Sequence, residues 1–199
     1  MENRYPEIAV GHTRTALEVL GERSPGAETR VRARLRPESR EALDAASRVD
    51  FLPAMVDLDV TIAIHAEVGP EAARQVAREA LRRTLTGTLL GGLVRSAAAL
   101  FGLTPPGLLR WSARGYGRVC RDCGELAMTS AAEGLVRLTL SGLPAELEAP
   151  SYLDSMAGSL EAFLDVCRVE GSVRVEPRPG GAAFELRWRQ GRSTAGAGP

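Results

Sequence analysis

Between Arg118 and Arg189 the hydrophobic pattern passes from the strand period to the helical one and back, which restricts the folds open to the chain more than any other feature. Leu126 and Met128 alternate ahead of a turn at Ala131-Ala132-Glu133-Gly134, and Val136, Leu138 and Leu140 alternate behind it with Arg137 and Thr139 between them. After Pro150, the residues Leu153, Met156, Ala157, Leu160, Leu164 and Cys167 recur at helical spacing, and Ser151 with Asp154 resembles a capping box. Alternation resumes at Val173 and Val175, crosses a turn at Pro177-Arg178-Pro179-Gly180-Gly181, and continues through Phe184, Leu186 and Trp188. The order is strand, turn, strand, helix, strand, turn, strand. A one-residue slip would turn arginines inward, so Val136, Leu138, Leu140, Phe184, Leu186 and Trp188 are expected inside and Arg137, Arg187 and Arg189 outside.

Upstream, the chain reads as helices. Ile8 to Leu20 carries Val10, Thr13, Ala16, Leu17 and Leu20 at helical spacing, with Gly21 as the stop. Val31 and Leu35 mark a second helix that Pro37 ends, and Pro37 starts a third with Ala42 and Leu43 on its inner side. Phe51-Leu52-Pro53 opens a longer helix with Met55, Leu58, Ile62 and Ala66 along one face and Gly69 at its close. The helix from Pro70 is acidic first, at Glu71, and basic last, at Arg82 and Arg83, which matches the helix dipole. From Leu85 through Leu89, Leu90, Leu93 and Val94 to Phe101 the polar face is lost, which predicts the core's central helix. Thr104-Pro105-Pro106 starts another, with Leu109, Ser112, Tyr116 and Val119 on one side.

The fold class is therefore α+β, with a helical N-terminal half packed on one face of a four-stranded antiparallel sheet in a β-β-α-β-β C-terminal half. Residues 1–191 are expected to form a single domain, helical over about 8–120 and ββαββ over about 121–189. The tail at 192–199 is rich in Gly and Ala and is expected to be disordered.

Twenty-five basic and 25 acidic residues leave no net charge, which gives no general attraction to nucleic acid or to an anionic membrane. Every basic residue other than histidine is arginine, so Arg stands even where Lys would serve and marks no phosphate site by itself. The N-terminal Met1-Glu-Asn-Arg-Tyr-Pro lacks the apolar core of a signal peptide, and the apolar run Thr86 to Leu103 is broken by Arg95 and glycines. A cytoplasmic protein with no membrane insertion is expected. Three cysteines, an odd number, give no disulfide scaffold.

Cys120-Arg121-Asp122-Cys123 has the spacing of metal knuckles and thiol redox sites, but no second such pair supplies the remaining ligands. Cys120, Cys123 and Cys167 are thus weak metal candidates, and no metal or other cofactor is expected. Asp57 and Asp59 point to different faces of a helix and are expected to be solvated. His65 adjoins an apolar helix face, while His12 is near the N-terminus and is the weaker candidate of the two. Tyr116 and Tyr152 fall on the helices flanking the sheet, where a pocket could open. No Gly-rich phosphate loop, G-x-S-x-G or other catalytic constellation occurs, so no catalytic residue is assigned and the chain is read as not an enzyme.

Ala9-Val10-Gly11, the segment Arg30 to Arg40, Phe51-Leu52-Pro53, Arg121-Asp122-Cys123-Gly124-Glu125, Ser141-Gly142-Leu143-Pro144, Ala157-Gly158 and Phe184-Glu185-Leu186-Arg187-Trp188 together resemble a large paralogous family of uncharacterised bacterial proteins of myxobacterial type. The likeness spans about residues 8 to 189. That family is in turn similar to the haem-nitric-oxide-binding, 4-vinyl-reductase-type and trafficking-complex domains, in which helices pack on one face of a four-stranded antiparallel sheet. The resemblance implies a member that binds haem, a small hydrophobic ligand or another protein. The haem-binding relatives use a proximal His and a Tyr-x-Ser-x-Arg signature, a string this chain does not contain, so haem is not expected. The leading expectation is a sensory or regulatory module with a small apolar ligand between helices and sheet, and His65, Tyr116 and Tyr152 as pocket candidates. The alternative is a protein-binding or scaffold module acting as a homodimer or on a signalling partner. A void of ~300 Å³ or more would favour the first and a filled core the second.

Overall fold

The computed structural model describes residues 5–87 and 90–189. The expected disordered tail and residues 88 and 89 of the expected central helix lie outside these. The described chain runs β1 (Glu7–Ala9), α1 (Val10–Arg23), α2 (Ala27–Arg34), α3 (Pro37–Ala45), β2 (Phe51–Pro53), α4 (Ala54–Val68), α5 (Pro70–Thr86), α6 (Gly91–Phe101), α7 (Pro105–Leu109), α8 (Ser112–Val119), β3 (Cys120–Arg121), β4 (Glu125–Ala132), β5 (Leu135–Ser141), α9 (Pro150–Val166), β6 (Glu170–Arg178) and β7 (Gly181–Arg189). The class is α+β, as expected.

The four-stranded sheet has the order β4-β5-β7-β6, antiparallel throughout. Val136 pairs with Leu186 and Leu138 with Phe184, and the side chains of all four are fully buried, while Arg137, Arg187 and Arg189 are exposed. Trp188 departs from expectation: it is only half-buried, at the end of the sheet opposite Gly171, which has no side chain to cover it. β4 also runs on to Ala132, because an irregularity between Met128 and Ser130 shifts its register; the turn is left to Glu133 and Gly134, the latter at φ 69°.

The central helix is α9, which lies between the sheet and α5. It buries Tyr152, Leu153, Ala157, Gly158, Leu160, Glu161, Ala162 and Leu164, and so is covered on more than one side. The expected capping box is not formed. Ala149 precedes the helix without a side-chain cap, Pro150 starts it, and the Asp154 carboxylate is engaged instead by Arg74 of α5 at 3.0 Å. α6, expected at the centre, exposes Gly92, Arg95, Ser96, Ala99 and Leu100. Its apolar character comes largely from Gly and Ala, whose exposure costs little, so the lost polar face did not mean burial.

Gly158 lets α9 approach the backbone of α5 closely at Arg74. A Cβ there would run into the carbonyl oxygen of Arg74 as well as its Cγ, and neither backbone can yield without separating the helices. Gly158→Ala is expected to destabilise the fold by about 1–3 kcal/mol. A urea midpoint equal to that of the unsubstituted chain would contradict this packing.

A second, three-stranded sheet of order β2-β1-β3 was not legible in the sequence. Ile8 and Ala9 belong to β1 rather than to the first helix, and Phe51-Leu52-Pro53 form β2 ahead of α4 rather than its first turn. α1 continues past Gly21 to Arg23 and ends before Pro25. The stretch from Thr104 to Val119 is two short helices, the first capped as expected by Thr104, whose Oγ1 accepts from the Gly107 amide at 3.3 Å. On α4 the buried set is Ala54, Val56, Asp57, Leu58, Val60, Ala63 and Ile64, whereas Ile62 and Ala66 are exposed, because α2 and α3 cover one side of this helix and α5 and α9 others.

Candidate functional site

A cavity of about 140 Å³ lies where the N-terminal helices meet α9. α1 gives His12 and Ala16 to its wall, α4 Val60, Thr61 and Ile64, α5 Val76 and Leu81, α6 Leu93 and Val94, α8 Ser112 and Tyr116, and α9 Tyr152, Met156 and Phe163. Of the four-stranded sheet only Leu126 reaches it, since α9 stands between. The pocket is therefore between helices rather than between helices and sheet. Its volume falls below the ~300 Å³ at which drug-sized sites begin. It is close to the ~150 Å³ of a dry engineered cavity that admits benzene or xenon.

Tyr116 and Tyr152 both line the cavity. Tyr116 Oη donates to the Cys123 carbonyl at 2.8 Å, which fixes the ring against the wall. Burial raises the pKa of both phenols above the ordinary range, so neither ionises near neutrality. His65 does not line the cavity. Its Nε2 lies 3.1 Å from Oγ of Ser155, which does, so the imidazole stands behind the wall, and burial lowers its pKa.

The wall holds ionisable and polar groups that the sequence reading set aside. His12 is one of them. Asp57, expected to be solvated, is buried and accepts from Thr13 Oγ1 at 2.6 Å. Burial holds its carboxyl above the usual carboxylate range, against the opposing pull of His12 and the Thr13 hydrogen bond. Asp59, on another face of α4, is paired with Arg36 at 2.7 Å and bonded by Ser39. Ser112 is the third, and its signal was present in the sequence: a hydroxyl in the otherwise apolar and aromatic stripe of Leu109, Tyr116 and Val119.

Of the thiols, Cys120 lines the cavity and Cys123 is buried beside it. Hydrogen bonding with Cys123, then burial, raises the Cys120 pKa and so keeps that thiol neutral, while the same hydrogen bond lowers the pKa of Cys123, whose Sγ lies 3.2 Å from the Arg121 carbonyl. Cys167 follows α9 away from this wall, and burial pushes its pKa up to about 12. Among the described residues no three His, Cys, Asp or Glu side chains gather as metal ligands, and no helix is long and apolar enough to cross a membrane.

No protein-family model and no curated protein matches the sequence. Among solved structures the chain is similar to the Fe(II) unliganded H-NOX protein from K. algicida, with a TM-score of 0.64 at 6% identity over 93% of this chain and 98% of that one. It is also similar to an oxygen-binding H-NOX domain related to soluble guanylate cyclases, in its oxygen complex, with a TM-score of 0.60 at 12% identity over 92% and 96%. A mutant of the T. tengcongensis H-NOX gives 0.57 at 12% identity over 93% and 100%. The chain has the H-NOX fold, and the distant similarity to the haem-nitric-oxide-binding superfamily expected from the sequence is borne out at the level of fold.

Proposed function

We propose that this chain is a non-enzymatic sensory or regulatory module that takes up one small apolar molecule between its N-terminal helices and α9. The observation that carries the reading is the cavity, whose walls are mostly aliphatic and aromatic and whose size suits a single ring. The fold adds support, since one domain that shares it is an oxygen-binding protein.

Haem, which the fold family implies, does not fit the residues present. A group of that size needs several times the volume. Its two propionates would need cationic partners, yet no arginine is among the described residues lining the cavity, and the acid Asp57 is. His65 is outside the cavity and in no position to ligate a group bound there.

Titration of the purified chain with benzene is expected to raise its unfolding free energy saturably, by about 1.4 kcal/mol at ten times the dissociation constant. Haem is expected to give no stoichiometric Soret band, with His65→Ala indistinguishable from the parent. A stoichiometric, histidine-dependent band would overturn the exclusion of haem, and no effect of benzene would overturn the ligand reading. The homodimer or scaffold reading draws on Leu100 and Leu103, 67% and 47% exposed at and just beyond the end of α6. Sedimentation of the unsubstituted chain and of Leu100→Asp tests it, a concentration-dependent dimer lost in the variant being the result it requires.

A further inference from the structure

Among the described residues, two buried side-chain polar atoms have no hydrogen-bond partner, His12 Nδ1 and Ser112 Oγ. Both residues line the same cavity. Ser112 is 3% exposed and opens α8. A helical serine usually returns its hydroxyl to the carbonyl four residues back, but Ser112 is the first residue of α8, and that carbonyl, of Leu108, belongs to α7 and does not receive it. Of the other polar groups lining the cavity, Asp57 accepts from Thr13 at Oδ1 and Tyr116 donates to the Cys123 carbonyl. An unmade buried hydrogen bond is destabilising, and native structures keep few of them. Finding both in the lining of one mostly apolar cavity points to a partner that enters from outside the chain.

The chemistry of the two atoms narrows that partner. A serine hydroxyl donates and accepts, while an imidazole nitrogen does one or the other according to tautomer. A hydroxyl satisfies either arrangement and carries no charge into a low-dielectric site. We infer that the ligand of this cavity is a single-ring-sized apolar molecule bearing one hydroxyl group, a phenol or small alcohol, held by Ser112 Oγ and His12 Nδ1. This rests on the ligand-binding reading above and adds to it the polar group and the residues that select it.

The test is calorimetric titration of the full chain, and of Ser112→Ala and His12→Leu, with two probes of nearly equal size, benzene and phenol. In the unsubstituted chain phenol is expected to bind at least as tightly as benzene, because the hydroxyl finds partners in place of water. Ser112→Ala removes an unpaired hydroxyl and is expected to fold. It should raise the ratio of the phenol to the benzene dissociation constant about tenfold, the loss of roughly one hydrogen bond. His12→Leu should move the ratio the same way, and if it does not fold, the Ser112→Ala ratio decides alone. Benzene binding with phenol tenfold weaker in the unsubstituted chain, or a ratio unmoved by Ser112→Ala, overturns the hydroxyl inference and assigns the two atoms to ordered water only, with the apolar-ligand reading intact. Binding of neither probe overturns both.

Discussion

Arg74→Ala is expected to destabilise the fold by about 3–5 kcal/mol in urea denaturation, the range for stripping a buried charge of its partner. Arg74 projects from α5, with Nη1 3.0 Å from Asp154 Oδ1 and Nη2 2.8 Å from Glu161 Oε1, and it also donates to the Val173 carbonyl. One guanidinium thereby ties α5 to both turns of α9 that face it and to strand β6. Glu161 is the vulnerable partner, being 5% exposed, with only the Val173 amide at 3.2 Å and Arg78 at 3.7 Å to take up its charge once Arg74 is gone. The planar fork is what reaches three acceptors at once, so Arg74→Lys is expected to recover only part of the loss. If Arg74→Ala moves the midpoint by less than the equivalent of about 1 kcal/mol, Arg78 has taken over the carboxylate and the clamp is not what holds these helices. Replacing both partners, Arg74→Met with Glu161→Leu, should restore most of the stability, because no charge is then left buried alone.

Phe184→Ala is expected to destabilise by about 3–5 kcal/mol, through lost burial and the hole left behind. Phe184 is among the largest side chains with no exposure at all, and it sits in the middle of β7, across from Leu138 of β5 and Val175 of β6, under α9. A loss below about 1 kcal/mol would mean that the sheet and α9 collapse into the space, and would place the densest part of the core elsewhere.

The C-terminal half was legible in outline because alternation is a strong local signal: once Val136, Leu138 and Leu140 point one way, Phe184 and Leu186 must join them. The small sheet was not, because Ile8 and Leu52 are each the middle of only three strand residues and directly precede helices, so they read as helix starts. The candidate site was half legible. Tyr116 and Tyr152 follow from the flanks of the sheet, but a cavity is a volume left by the way helices meet, and no periodicity encodes it. Asp57 and Asp59 fall on different faces of α4, and only the tertiary packing separates their fates: Asp57 turns toward Thr13 of α1 and the cavity, Asp59 toward Arg36 and Ser39 at α3. His65 stands out in the sequence by its apolar helix face and His12 recedes by its nearness to the N-terminus, whereas the fold brings His12 to the wall and leaves His65 one residue behind it.

The short strand β1 sets the order in which this molecule can assemble. Its partners in β2 and β3 lie about 44 and about 113 positions further along the chain, so both closures are non-local and their loop entropy must be lost before any contact compensates. The hairpins β4-β5 and β6-β7 need no such search. Ile8 and Cys120, paired across β1 and β3, both line the cavity, which therefore needs the most remote strand pairing in the fold and, with Tyr152, Met156 and Phe163 also in its wall, cannot exist in a nascent chain that has not reached α9. A molecule that binds only the closed cavity acts after that step: it prolongs the life of the finished fold and does nothing to hasten its formation.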